Sequence, residues 1–157
     1  MGVLAPLDGA GYAAWVASAV AGYARDNVAA GRWSADTAQA RSRLEFAELL
    51  PQGLSTPGHH LFAILDPASG ARVGVIWLGV VERAGDRSGH VYDVEVDPAH
   101  RRRGHATRAF RALEAVARDL GLASIGLHVF GHNPGARALY EQLGYAVTGV
   151  NMVKRLG

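Results

Sequence analysis

Apolar residues recur at helical spacing from Asp8 onward, at Tyr12, Trp15, Val16, Ala19 and Tyr23, and predict an amphipathic helix with one aromatic-rich face. "AAGRW" breaks that period. Ser34 then stands where an N-cap belongs, so a second helix is expected to reach about Leu50, with Leu44, Ala47 and Leu50 as its buried ridge. Trp33 lies in the break between the two helices and is harder to assign to the core than Tyr12, Trp15 or Tyr23. Past the Pro/Gly loop "PQGLSTPGHH" the pattern becomes that of strands: "HLFAIL", "RVGVIWLGVV" and "HVYDVEV", separated by the turn segments "DPASG" and "ERAGDRSG". Helical spacing returns over Arg103 to Leu120, through Ala106, Phe110, Leu113, Ala117 and Leu120. A short strand "SIGLHVF", a proline-started helix Pro134 to Leu143 and a last strand "YAVTGVNMVKRL" complete the chain, and "VLAP" is a short first strand.

The predicted order is β-α-α-β-β-β-α-β-α-β. An antiparallel meander is followed by βαβ units, which makes a mixed α/β fold: a curved, mostly antiparallel sheet with helices on both faces. No internal repeat or low-complexity linker interrupts it, so residues 1–157 are expected to form one domain.

Composition narrows the chemistry. Hydrophobic residues make up 49% and charged residues 19%, a globular balance. The chain has no cysteine, which excludes disulfides, thiolate metal sites and a cysteine nucleophile. A net charge of +2 is too small to argue for nucleic acid by itself. The start shows no basic region before an apolar run. Pro6 stands where myristoylation of Gly2 would want Ser or Thr, and the longest apolar stretch, Val73 to Val81, is far short of the roughly 20 residues a membrane span requires. A cytoplasmic protein without membrane attachment is expected. The seven histidines show no zinc-ligand spacing, so no metal is expected; His132 is either a neighbour of the site or incidental.

The chemistry concentrates in "EVDPAHRRRGHATRAF", Glu95 to Phe110. A strand ends at Asp97-Pro98 and a helix begins near Gly104, leaving free N–H groups and the positive end of a helix dipole beside Arg101, Arg102 and Arg103. That is an anion site, and a glycine at 104 lets a phosphate approach the backbone. Neither a Walker loop nor a dinucleotide GxGxxG spacing fits. The pattern V-x-V-x-P-x-x-R-x-x-G-x-A does fit, at Val94, Val96, Pro98, Arg101, Gly104 and Ala106. Together with "HNPGARALYEQLGY", where Asn133, Ala136, Leu139, Tyr140, Glu141, Gly144 and Tyr145 fall in register, it resembles the GNAT N-acetyltransferase superfamily over roughly residues 61–156.

The resemblance implies an enzyme that moves an acetyl group from acetyl-CoA directly to a primary amine of a small molecule or peptide. It implies a donor site at Arg101, Arg102, Arg103, Gly104, His105, Ala106 and Thr107, flanked by Val94 and Val96, with Asn133 on the pantetheine arm. Tyr140 reads as core packing from its spacing alone; the resemblance makes it the general acid to the leaving thiolate. Asp93, Glu95 and Asp97 alternate along one strand and share a face, either a solvated polar side or carboxylates beside the incoming amine. Glu95 is the first choice for the base and Asp93 the second. Partners would be the donor and an amine acceptor, with no nucleic acid; a homodimer is a family-level expectation. The competing class is a non-catalytic CoA-binding module on the same fold.

Overall fold

The structure, a computed structural model, describes residues 2–157. Five strands form one sheet in chain order: β1 (Leu4–Pro6), β2 (His59–Leu65), β3 (Arg72–Arg83), β4 (Asp86–Val96) and β5 (Ile125–Leu127). Neighbours pair antiparallel except β4 and β5, which run parallel because the helix α3 (His105–Asp119) crosses between them. The remaining helices are α1 (Gly9–Ala29), α2 (Ala35–Leu49) and α4 (Pro134–Gln142).

Strand alternation builds the layers. On β3, Val75 and Trp77 pack with Trp15, Ala19 and Phe46 of α1 and α2, while Ile76 and Leu78 pack with Ala109, Phe110 and Leu113 of α3. The sheet is therefore covered on both faces, as the sequence pattern predicts. Trp33 is also core: it is buried, edge-on to Tyr23 at 5.4 Å, with the Arg41 guanidinium over its ring.

Local details depart from the sequence reading in three places. The buried ridge of α2 is Ala38, Ser42 and Phe46, continued by Leu50, whereas Leu44 and Ala47 face outward. Spacing of four residues puts Ala38, Ser42 and Phe46 in line, and Ser42 is tolerated there because its hydroxyl donates to Val20 O at 2.7 Å. Ser34 has the extended backbone of an N-cap, but its hydroxyl pairs with Thr37 Oγ1 instead of capping a helix N–H. The β3–β4 ladder runs to Arg83↔Asp86, so the eight-residue turn segment contracts to Ala84 and Gly85, both left-handed, as the twist of a two-residue hairpin demands.

The largest difference is at the carboxyl end. The expected last strand over 145–156 does not form; residues 145–157 belong to no helix or strand, and Val150, Met152, Val153 and Leu156 are exposed. An alternating apolar pattern makes a strand only where a hydrogen-bonding edge meets it, and here none does.

Candidate active site

The site forms where β4 leaves β5. The two strands pair only over Gly89–Val91 with Ile125–Leu127, and the register of β4 on β3 slips between Trp77↔Asp93 and Leu78↔Val91, so Tyr92 is an extra residue. This bulge re-aims the strand. Val91, Val94 and Val96 pack toward α3, whereas Tyr92 packs with the α1 core and Asp93 bonds Trp15 of α1. Asp93, Glu95 and Asp97 do share the α1 side, as their alternation predicts: Glu95 and Asp97 line a small cleft with Gly11, Trp15 and Ser18. Without the extra residue, Asp93 would face the opposite layer with Val91. Gly79 makes room for the bulge, since a Cβ there would collide with the Tyr92 ring.

The bulge also decides which backbone groups are free. Gly89 N donates across to Ser124 O beside β5, while Asp97 N donates to Val73 O on the β3 side. By alternation the N–H and C=O groups of Val94 and Val96 turn to the edge that β5 has left, and Val96 O there accepts from Arg101 Nε at 2.9 Å. Two parallel strands thus part at their carboxyl ends, with a helix starting beyond each, which is where open α/β sheets place ligands.

Asp93 lies at the bulge with its carboxyl buried, on the α1 side of the strand that borders this opening. Its Oδ2 accepts the Trp15 indole N–H at 2.9 Å. Burial pushes its carboxyl up to about 6, with the nearby charges of Glu95 and Asp26 adding to the rise and the Trp15 bond opposing it. Tyr140 reaches the same region from α4, wedged edge-on against Phe110 at 5.4 Å. Burial raises the Tyr140 phenol, and the Asp93 charge raises it further, so it holds its proton at neutral pH. Tyr140 and Asp93, the second choice for the base, are thereby brought within electrostatic reach of one another.

The basic loop has the geometry of an anion cradle. Pro98–His100 forms a single 3₁₀ turn, Arg102 and Gly104 take positive φ (64° and 77°), and no side chain caps α3. The first N–H groups of that helix, at His105, Ala106 and Thr107, point out beside the exposed Arg101, Arg102 and Arg103. Arg108 braces the loop from behind, through Arg103 O at 3.0 Å and His105 Nδ1 at 2.9 Å. His105 itself is buried; its ring is part of the brace and is turned inward from the loop's exposed surface. Asn133 caps α4, its side-chain oxygen accepting from Ala136 N at 3.2 Å, which leaves its amide N–H₂ available.

Spacing missed three contributors. Trp15 reads as core, although a buried indole N–H wants an acceptor, and that need was the available signal. Asp26 meets His132 Nε2 at 3.1 Å, tying α1 to the β5–α4 loop across 106 residues. Nothing local pointed to that pair or to the brace by Arg108. A larger cavity of about 830 Å³ lies beyond Tyr140, between β5 and the carboxyl-terminal segment; it does not include the arginine loop. Among the described residues, no three His, Asp or Glu side chains are grouped to hold a metal ion, and no helix is long and apolar enough to cross a membrane.

Comparison with known proteins agrees with this geometry. Residues 26–145 match the profile of the Acetyltransferase (GNAT) family. YycN of Bacillus subtilis (strain 168), named an uncharacterized N-acetyltransferase, is 35% identical over 98% of each chain. YdgE of the same organism, named likewise, is 31% identical over 87% of each. The crystal structure of the YycN acetyltransferase superposes with a TM-score of 0.91 over 98% of this chain and 97% of that one. A parted pair of parallel strands, an uncapped helix start behind an arginine loop, and relatives that span its length place this chain in the GNAT acetyltransferase family, as an N-acetyltransferase.

Proposed function

We propose that this N-acetyltransferase takes its acetyl group from acetyl-CoA and passes it directly to a primary amine. The observation that supports the reading is the nearness of Tyr140 to the buried Asp93 carboxyl, on the strand whose free edge leads to the arginine loop.

The residues present fit the donor. The uncapped N–H groups at the start of α3, with Arg101, Arg102 and Arg103, suit a diphosphate, and Gly104 keeps the backbone approachable. The free N–H and C=O groups of Val94 and the free N–H of Val96 suit the amide-bearing arm, joined by the Asn133 amide. Acetyl-CoA supplies an acyl group already activated as a thioester.

The remaining chemistry belongs to the chain. Asp93 and Glu95 attract the ammonium form of the acceptor, with Asp26 adding charge at the rim. Asp93 is better poised than Glu95 to take the ammonium proton, because its carboxyl titrates near neutrality and lies beneath the opening. As the new C–N bond forms and the C–S bond breaks, a β4 N–H at Val94 or Val96 stabilises the carbonyl oxygen. Tyr140 delivers its proton to the departing sulfur. Transfer is direct, since the chain has no cysteine to carry the acyl group.

Titration calorimetry with acetyl-CoA, followed by thiol release across a panel of amines, tests the proposal. Binding together with amine-dependent thiol release is expected. A protein that binds neither acetyl-CoA nor CoA would overturn the donor assignment, and one that binds both yet releases no thiol with any amine would be a binding module.

A further inference from the structure

Two groups of rings border the Asp93 carboxyl, and the acyl-transfer reading uses neither. The first stands on the α1 side of the sheet. Tyr92 stacks on Trp77 with ring centroids 4.7 Å apart, and His59 and His90 approach the Tyr92 ring at 5.6 and 4.6 Å. Glycines clear the floor beneath them. A Cβ at Gly79 would strike Tyr92 and crowd His59, and His90 Nδ1 lies 3.9 Å from where a Cβ of Gly126 would stand. The second group follows β5. Ile125 and Leu127 turn to the α3 layer, so alternation carries Gly126 and His128 to the α1 side. His128 meets Phe130 edge-on at 4.8 Å, Phe130 stacks on His132 at 5.3 Å, and Tyr23 of α1 closes on Phe130 at 6.4 Å.

Both groups reach the same carboxyl. Tyr92 precedes Asp93 in the chain, and Asp26, which meets His132 Nε2 at 3.1 Å, adds its charge to the Asp93 environment. Gly126, His128 and Phe130 also line the cavity of about 830 Å³ that Tyr140 borders, so there is open space beside the rings. The imidazoles add little positive charge there at neutral pH. Burial holds His90 and His128 below the usual imidazole range, and the charge of His128 lowers His90 further, as that of Arg32 lowers His128.

Such a surface suits one kind of amine. Asp93 and Asp26 act on one spot, which fixes a single ammonium group and offers nothing to a second one further along. Arg32 is committed to Asn27 Oδ1 at 2.6 Å and lies over the Trp33 ring, which leaves the body of the acceptor to the aromatic side chains. Aromatic walls take a flat apolar group edge-on or offset-stacked.

We propose that the acceptor is an arylalkylamine, with its ammonium group at Asp93 and its ring packed on Phe130 and His128, bordered across Gly126 by His90 and Tyr92. The inference rests on the reading of Asp93 and Tyr140 as the acyl-transfer site. Phe130 and His128 then determine acceptor specificity and leave the donor untouched.

Thiol release at saturating acetyl-CoA, with phenethylamine, cyclohexylethylamine, propylamine, spermidine and free amino acids as acceptors, tests it. The kcat/KM for phenethylamine is expected to exceed that for cyclohexylethylamine, which has the same carbon skeleton but is not flat, by at least about tenfold. Phe130→Leu and His128→Ala are each expected to lower that ratio about fivefold or more, through KM, with acetyl-CoA affinity unchanged by calorimetry. His128 is exposed, so its replacement decides the matter should Phe130→Leu not fold. Higher kcat/KM with spermidine, an amino acid or the saturated ring overturns the arylalkylamine and leaves the acyl-transfer reading standing. A ratio that neither variant moves overturns the ring site. Thiol release with no amine at all overturns both readings.

Discussion

Trp15 donates its indole N–H to Oδ2 of Asp93 across 2.9 Å, joining the middle of α1 to the bulge of β4. The bond fixes the buried carboxyl group, and it is the one feature of that environment's side chains that favours the charged form. Burial and the charges of Glu95 and Asp26 act the other way.

Trp15→Phe removes the donor while keeping an aromatic ring against Trp77 and Phe46. The Asp93 carboxyl should rise further, and the acidic limb of kcat/KM should move to higher pH. A buried acceptor left without its partner costs about 1–3 kcal/mol, so the melting temperature should fall as well. An unmoved pH limb would show that the bond does not tune the base.

Asp93→Asn keeps an oxygen for Trp15 and abolishes the charge. Activity should fall by about 10²-fold or more, as for loss of a general base. Stability should change in the opposite direction. The native carboxyl titrates at about 6 and the unfolded one near 3.8, so the folded protein holds the proton more tightly. Its stabilising contribution is complete below pH 4 and is lost as pH rises through 6. The variant escapes that loss and should be about 2–3 kcal/mol more stable than wild type at pH 7, with the gap closing toward pH 4. Chemical denaturation at the two pH values measures it. Glu95→Gln serves as the comparison: if it abolishes the acidic limb and Asp93→Asn does not, the base is Glu95.

Tyr140→Phe preserves the contacts with Phe110 and Tyr145 and removes only the hydroxyl. Turnover should drop by about 10²-fold with donor affinity nearly unchanged. Equal turnover in the two proteins would leave Tyr140 as a packing residue.

Gly104→Ala tests the anion cradle. Alanine at φ of 77° is strained by about 1–2 kcal/mol, and its Cβ would press within 3.0 Å of the Arg108 guanidinium that braces the loop. Calorimetry should show acetyl-CoA binding at least tenfold weaker, with the rest of the fold intact by circular dichroism. Full affinity would remove the loop from the donor site.

The elements that sequence reading recovered best are those whose signals are local. The helical period through Ala106, Phe110, Leu113 and Ala117 became α3, with Phe110, Leu113 and Ala117 buried. Asp8 caps α1 through Gly11 N, and the proline at 134 opens α4. The arginine loop was visible for the same reason: a strand end, a glycine and a helix start are consecutive in the chain, and backbone geometry alone makes them an anion site.

Other features needed partners distant in sequence. The bulge at Tyr92 has no local signature, because an extra residue in β4 is defined only by the register of β3 against it. Asp93 is raised toward neutrality by burial and by charges from α1 and β4, so its titration belongs to the assembled layers and not to its position in a polar strand. Trp15 gained its role from a contact 78 residues away. The segment 145–157 has the apolar alternation of a strand yet forms none, since pairing requires an edge as well as a pattern. Local signals were enough for the order of elements as far as α4, for the layer to which most apolar positions turn, and for a loop shaped to receive an anion. Packing of the layers settled which carboxylate is buried beside Trp15, which one Tyr140 approaches, and which strand edge stays open, because burial, register and long-range charge exist only once the layers have packed.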